Sequence, residues 1–265
     1  KVVECSLSWM GYYSLLPPKA AQLAKKIRPI MESPQVYSRL IDYIEADEFP
    51  EDVIPPIRDL DITKYFYEGE FGDGSEEPTY WERVALTIEA SRVDLSLATM
   101  MAVQCFLLGK TIEVCGSEEQ KKYYLPRIKS FELIGGFGLT EADHGSDASN
   151  LSTTVQKMAN GDYLLNGNKR WIGNANKDII IVFAKDTSDG EVGCYIVHLT
   201  SPGITRTKIQ RKLALRPVQN MVVLFKDVIV PEKNKLPGVQ GFLSVASLLA
   251  ESRIMVGFMG AGLAI

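Results

Sequence analysis

Two short stretches carry the residue types that chemistry needs. The first is GGFGLTEADHGSDAS, Gly135 to Ser149, where glycines, hydroxyls and carboxylates crowd a run too polar to be core. Gly145 permits close backbone approach, and the amides and hydroxyl around Ser146 can donate to a phosphate. Thr140 offers a hydroxyl and an amide to a polar ring edge. Glu141 and Asp143 would repel phosphate, so they are expected to face away and hold the loop, and Asp147 could do the same. The second stretch is KRWIGN, Lys169 to Asn174. Trp171 follows Tyr163, Leu165 and Lys169 by alternation, which predicts one strand face with an indole at its far end, able to stack on a heterocycle. An ordinary surface loop and a core tryptophan would read the same way, so composition alone leaves both possibilities open.

Other chemistries lack their signatures. The chain has no G-x-x-x-x-G-K-[ST], no G-x-G-x-x-G and no G-x-S-x-G. Its two histidines, His144 and His198, argue against a His-rich metal site, and His198 falls in a strand-like run as a structural residue would. The four cysteines (Cys5, Cys105, Cys115, Cys194) are far apart, with no C-x-x-C pair, which suits a reducing compartment better than a disulfide framework or zinc. A net charge of -4 gives nucleic acid no basic surface.

The elements that must position these stretches come in three blocks. Lys19 to Met31 is rich in helix formers, with Pro29 expected to end or kink it. Val36, Leu40, Ile41 and Ile44 repeat at helical spacing, and Glu68 to Glu77 is the segment expected to be most mobile. Val84, Ala85, Ile88 and Ser91 mark a helix face, Asp94 caps a further helix to about Leu108, and Ser117 to Gln120 is a capping box opening a helix that Pro126 ends. After Ser149 the period changes. Thr153–Met158, Tyr163–Trp171, Ile179–Ala184, Cys194–Leu199, Thr205–Ile209, Met221–Phe225 and Val228–Val230 read as strands of a compact antiparallel sheet or barrel, with Asn160-Gly161 as a hairpin turn. Helix resumes from about Gly241. Ile254 to Ile265, 12 apolar or glycine residues, is short of the roughly 20 that span a bilayer, so no membrane span is expected. The chain opens on Lys1 and closes inside this run, so it is read as part of a longer protein.

Taken together, FGLTEADHGSDAS and NGNKRWIGN resemble the flavin-binding signature of the acyl-CoA dehydrogenase and acyl-CoA oxidase superfamily. CGSEEQKKYYLP before them and FKDVIVPEKNKLPG after them match further landmarks in order, and the similarity runs from about Trp81 to Ile265 and more weakly back to Lys19. The resemblance implies an α+β protein: an N-terminal helical domain at 1–134, a middle antiparallel β-barrel-like domain at 135–238, and at 239–265 the first helix of a truncated C-terminal bundle. It implies FAD, an acyl-CoA substrate, and a homodimer or homotetramer. A carboxylate removes the α proton of the thioester and the flavin takes the β hydrogen, giving a trans-2-enoyl-CoA. By the same resemblance, Phe137, Leu139 and Thr140 line the flavin ring, Ser146 lies near the FAD phosphates and the acyl-CoA, and Trp171, Ile172 and Gly173 cover the ring's other side, while Gly145 joins the cofactor-binding set by its residue type. Arg253 matches an arginine that contacts CoA. The catalytic glutamate of this branch is expected beyond Ile265, so no residue of this chain is assigned as catalytic, Glu141 included.

Two departures refine the expectation. Many dehydrogenases have Thr where this chain has Gly173, which removes one hydrogen bond of about 1 kcal/mol near the flavin. Plant peroxisomal short-chain acyl-CoA oxidases share RWIGN, and the neighbourhoods of Val218–Asn220 and Leu236–Val239. The first expectation is therefore a peroxisomal oxidase that passes electrons to O2 and makes H2O2. The alternatives are a mitochondrial dehydrogenase that uses an electron-transfer flavoprotein, and a non-catalytic flavin- or CoA-binding module. Ala142 replaces the usual proline after Thr-Glu, a tolerable change. A glutaryl-CoA enzyme ranks lower, because Ala98 stands where that enzyme has an arginine for the distal carboxylate.

Overall fold

Helices dominate up to Lys129. The computed structural model describes residues 11–72, 74 and 80–265, so Cys5 and part of the segment expected to be mobile lie outside the described residues. The short α1 (Tyr12–Leu15) leads into α2 (Pro18–Met31), with Pro18 in the first turn, where its missing N–H has no partner to lose. α2 passes Pro29 and ends two residues later. Next come α3 (Tyr37–Ala46) and α4 (Ile54–Arg58). Glu68, at the start of that segment, pairs with Lys110 at 2.9 Å, and Gly69–Phe71 forms a 3-10 turn.

α5 (Tyr80–Val93) is buried all round from Glu82 to Ser91, so the single apolar face expected there is an incomplete description. Its buried Glu89 is matched by Arg28 of α2 at 2.7 Å. Asp94 caps α6 (Leu95–Met101), accepting from the amides of Ser96 and Leu97. The helix does not stop near Leu108: it widens into a π-helical stretch, Ala102–Gly109, and continues as α7 (Lys110–Cys115). Tyr67 packs against the end of this stretch at Gly109, where a Cβ would lie 1.9 Å from its hydroxyl. α8 (Glu118–Lys129) opens with the full Ser117/Gln120 capping box. Pro126 does not end α8. A proline there loses its amide bond and crowds the carbonyl four residues back, a cost offset by the buried Leu125 and Ile128, which hold the last turn in place.

The chain then forms seven strands: β1 (Gly135–Gly138), β2 (Thr154–Lys157), β3 (Tyr163–Ile172), β4 (Ile179–Asp186), β5 (Val192–His198), β6 (Ile204–Lys208) and β7 (Met221–Val230). They form one sheet in the order β1-β4-β2-β3-β7-β6, with β5 also on β4. Most pairings are antiparallel, but β1 and β2 both run parallel to β4, and β1 falls within the stretch read as loop. β4 reads as an unbroken apolar run because both faces are covered. Ile179, Ile181 and Phe183 join the core shared with the helices, while Ile180, Val182 and Ala184 face the core of the sheet itself. A small third cluster, including Phe49, Met100, Ile134 and Val218, ties the helical block to the sheet.

The final helix, α9 (Phe242–Ala264), lies against α5, and a Cβ on Gly262 would meet the Ile88 carbonyl at 2.6 Å. The three-part α+β architecture is the one expected. α9 starts where helix was expected to resume, and with its 23 residues counted whole, among the described residues both Leu95–Cys115 and Phe242–Ala264 are long and apolar enough to cross a membrane. The first is core by position, with 72% of its apolar window buried, against 18% for the second.

Candidate functional site

The two chemistry-bearing stretches meet because three contacts join them. The Arg170 amide donates to the Thr140 carbonyl at 2.8 Å. Lys169 donates to the Leu139 carbonyl at 3.2 Å and pairs with Glu141 at 2.8 Å. Gly136 allows the close approach, since a Cβ there would lie 2.6 Å from the Gly173 carbonyl.

Glu141 faces inward, as expected of a residue that holds the loop. Besides Lys169 it accepts from the Ser152 amide at 2.6 Å and the Thr153 amide at 3.0 Å. Burial pushes its pKa up, but the hydrogen bonds from Lys169, Ser152 and Thr153 outweigh it and bring the carboxyl down to about 2. Burial lowers Lys169 to about 8 against the pull of Glu141, so the pair is ionised at neutral pH. Such a carboxylate has no free lone pair aimed at a substrate. Asp147 braces the exposed end of the loop, accepting from Asn150 at 2.7 Å and Ser149 at 3.2 Å.

Trp171 does not share the face of Lys169. The β3–β7 register shifts between Lys169 and Ile172, and Trp171 takes a φ of 64°, left-handed backbone that a bulky side chain rarely adopts. Ile172 takes the buried position instead, and the indole stands 50% exposed. The Asn220 side chain donates to the Trp171 carbonyl at 3.0 Å.

A cleft of about 500 Å³ opens between the two stretches. Phe137, Leu139, Thr140, Gly145 and Ser146 line one part of it, and Trp171, Ile172 and Gly173 another. Arg253 reaches it from α9, so every residue expected to hold cofactor or CoA borders the same space. Sequence reasoning missed Val103 and Leu107 of the π-helical stretch, Ala148 and Ser149, and Phe242, Ala246 and Leu249 of α9. The α9 residues precede Arg253 at helical spacing, a stripe that could have been read; the π-helical widening left no such mark. His144 and His198 do not line the cleft, and His198 lies instead within 3.5 Å of the Tyr124 hydroxyl. None of the described residues lining the cleft is an Asp or Glu.

Apolar walls, a half-exposed indole and a hydroxyl-bearing loop suit a flat heterocycle with an anionic tail. Gly145 strengthens the fit, because nothing lies within 4 Å of where its Cβ would be, so the backbone there is open to a ligand. A flavin dinucleotide satisfies these requirements.

Comparison with known proteins agrees across both halves of the chain. Residues 19–132 match the family described as acyl-CoA dehydrogenase, N-terminal domain, and residues 136–228 match acyl-CoA dehydrogenase, middle domain. A short-chain-specific acyl-CoA dehydrogenase of Megasphaera elsdenii is 32% identical over 225 residues, which cover 82% of this chain and 58% of the relative. A short/branched-chain-specific mitochondrial enzyme of Rattus norvegicus is 33% identical over 196 residues, covering 72% of this chain and 45% of the relative. The chain thus spans about half the length of these relatives. Among solved structures, a glutaryl-CoA dehydrogenase of Mycobacterium smegmatis in complex with FADH2 superposes with a TM-score of 0.87 at 28% identity, covering 94% of this chain and 63% of that one. The butyryl-CoA dehydrogenase of Megasphaera elsdenii gives 0.85 at 28% identity, with 93% and 66% covered. With the signature loops, the helix–sheet–helix order and both family domains in agreement, the chain belongs to the acyl-CoA dehydrogenase family.

Proposed function

We propose that this chain forms the flavin- and thioester-binding part of an FAD-dependent dehydrogenase that converts short-chain, monocarboxylic acyl-CoA to trans-2-enoyl-CoA. The observation that carries this reading is the single cleft shared by Phe137–Ser146, Trp171–Gly173 and Arg253. In this assignment Phe137, Leu139, Thr140, Trp171, Ile172 and Gly173 hold the ring. Gly145 and Ser146 serve the phosphates, and Ser146 and Arg253 serve the CoA. When bound, the flavin accepts the electron pair removed from the substrate. The chain's own residues orient the ring and thioester and shield them from water. The proton acceptor in this reading is a carboxylate other than Glu141, which Lys169 sequesters, since none of the described residues lining the cleft is an Asp or Glu.

The acyl class is proposed from Ala98, which stands where a glutaryl-CoA enzyme has an arginine and which lies in a small apolar recess with Leu86, Ala90, Met101, Phe106 and Met255 among others. None of its described lining residues is charged, so a distal carboxylate there would be buried unpaired. That favours a monocarboxylic acyl group over glutaryl-CoA, despite the likeness to glutaryl-CoA dehydrogenase structures.

The named relatives are dehydrogenases, which supports a dehydrogenase over the oxidase first expected, and a mitochondrial or bacterial setting over a peroxisome. Gly173 keeps the oxidase as a second reading, since no hydroxyl occupies that position. The division at 1–134, 135–238 and 239–265 and assembly as a homodimer or homotetramer are parts of the same proposal. The test uses the whole protein with butyryl-CoA. Fast reduction of an artificial electron acceptor with little peroxide supports the dehydrogenase. Stoichiometric peroxide in air supports the oxidase, and no turnover with bound FAD favours a binding module.

A further inference from the structure

The strained turn at Trp171 is held by a loop that does not itself line the cleft. Residues 209–220 leave β6 and return to β7, closed at the base by the Ile209 amide donating to the Asn220 carbonyl at 2.9 Å. Inside the loop Lys212 folds back and donates to the Leu215 carbonyl at 2.6 Å, to the Val218 carbonyl, and to Asn220 Oδ1 at 2.7 Å. Asn220 Nδ2 then donates to the Trp171 carbonyl at 3.0 Å. The order of these bonds settles the orientation of the amide. An ammonium has donors only, so it requires the Asn220 oxygen, and the nitrogen is left facing Trp171. Trp171 needs such a tie, because a left-handed φ of 64° at a tryptophan persists only where surrounding contacts enforce it.

We propose that Asn220 is a positioning residue for the flavin site: oriented by Lys212, its amide fixes the Trp171 peptide so that the indole and the Gly173 backbone keep their place in the cleft. This role rests on the flavin reading for its function but not for its geometry. The same loop is anchored to the helical block elsewhere, through Arg216 to the Glu45 carbonyl at 3.1 Å and Gln219 to the Asp47 carbonyl at 3.0 Å. Those anchors stabilise the loop without touching Trp171, which provides a control.

Four variants of the whole protein test this: Asn220→Ala, Asn220→Asp, Lys212→Met and Arg216→Ala. Asn220→Asp keeps an oxygen for Lys212 but sets an acceptor against the Trp171 carbonyl, so it isolates the donated bond from the rest of the loop. Amide hydrogen exchange over residues 170–174 is measured without added FAD, and FAD affinity is measured by titration. The expectation is at least tenfold faster exchange in both Asn220 variants and in Lys212→Met, with at least tenfold weaker FAD binding. Arg216→Ala should lower the melting temperature while leaving both readouts within about twofold. Wild-type exchange at 170–174 in Asn220→Asp, whatever its melting temperature, overturns the proposal. If the unaltered protein binds no FAD, the flavin reading fails, and exchange at 170–174 still decides whether Asn220 positions the turn.

Discussion

Lys169 Nζ and Glu141 Oε1 lie 2.8 Å apart with 0% and 2% of their side chains exposed. This buried pair fastens the end of β3 to the loop that follows β1. Without Lys169, Glu141 is a buried carboxylate left to the donors of Ser152 and Thr153, and without Glu141, Lys169 is a buried ammonium left to the Leu139 carbonyl. Lys169→Met should therefore destabilise the protein by about 3–5 kcal/mol, read by urea denaturation. Joint replacement of both residues by apolar ones should cost less than either single change. A loss under about 1 kcal/mol for Lys169→Met would show that the pair is not the fastener.

The same pair sets a pH dependence. Glu141 titrates at about 2 in the fold, below its ordinary 4.5, because its hydrogen bonds outweigh burial. A depressed acid stabilises the fold fully above its ordinary value and loses that contribution as pH falls towards the folded one. The expected decline falls between about pH 4.5 and 2 and amounts to about 3 kcal/mol. Lys169, lowered to about 8 by burial, titrates above this window and leaves it unaffected. Glu141→Gln should be less stable at pH 7 and flatter below pH 4.5. Equal acid slopes in the two proteins would assign the decline to other carboxylates.

Much of this arrangement was legible where a residue type must serve a local need. Thr140, Gly145 and Ser146, singled out by type, do border one cleft, Asp94 and Ser117 announced helix starts, and Glu141 was recognised as a loop holder. What failed depended on partners distant in sequence. Gly135–Gly138 carries no alternation, and it is a strand because β4 offers it an edge. Trp171 changed face because the register shift beside it is set by pairing with β7, which a count along one strand cannot register. Pro126 was overruled by packing on both sides. The π-helical stretch that carries Val103 and Leu107 packs at Gly109 against Tyr67, a contact across 42 residues that a local reading does not register.

Gly173 is constrained by a neighbour as well as by chemistry. A Cβ there would lie 3.1 Å from Val218 Cγ1 and 3.7 Å from Val103 Cγ2. Gly173→Thr should therefore crowd Val218 and cost about 1–3 kcal/mol, and adding Val218→Ala should recover most of it. Thermal unfolding of the two variants checks this, and a single variant as stable as the parent would mean that Val218 yields freely. If the oxidase reading holds, Gly173→Thr should also lower the peroxide formed per turnover relative to dye reduction.

Two glycines separate what builds the cleft from what a ligand meets there. At Gly136 a Cβ would lie 2.6 Å from the Gly173 carbonyl and 3.0 Å from Ile172 Cγ2, backbone and core that cannot swing aside. Gly136→Ala should destabilise by about 1–3 kcal/mol and weaken FAD binding through the displaced Gly173. At Gly145 nothing lies within 4 Å of the added atom, so Gly145→Ala should leave unfolding within about 0.5 kcal/mol of the parent. It should nevertheless weaken FAD at least tenfold if a phosphate rests on that backbone. Denaturation and FAD titration on both variants give the two answers together. Unchanged FAD affinity in Gly145→Ala would remove Gly145 and the adjoining amides from the phosphate contact, while the cleft built around Gly136 would stand.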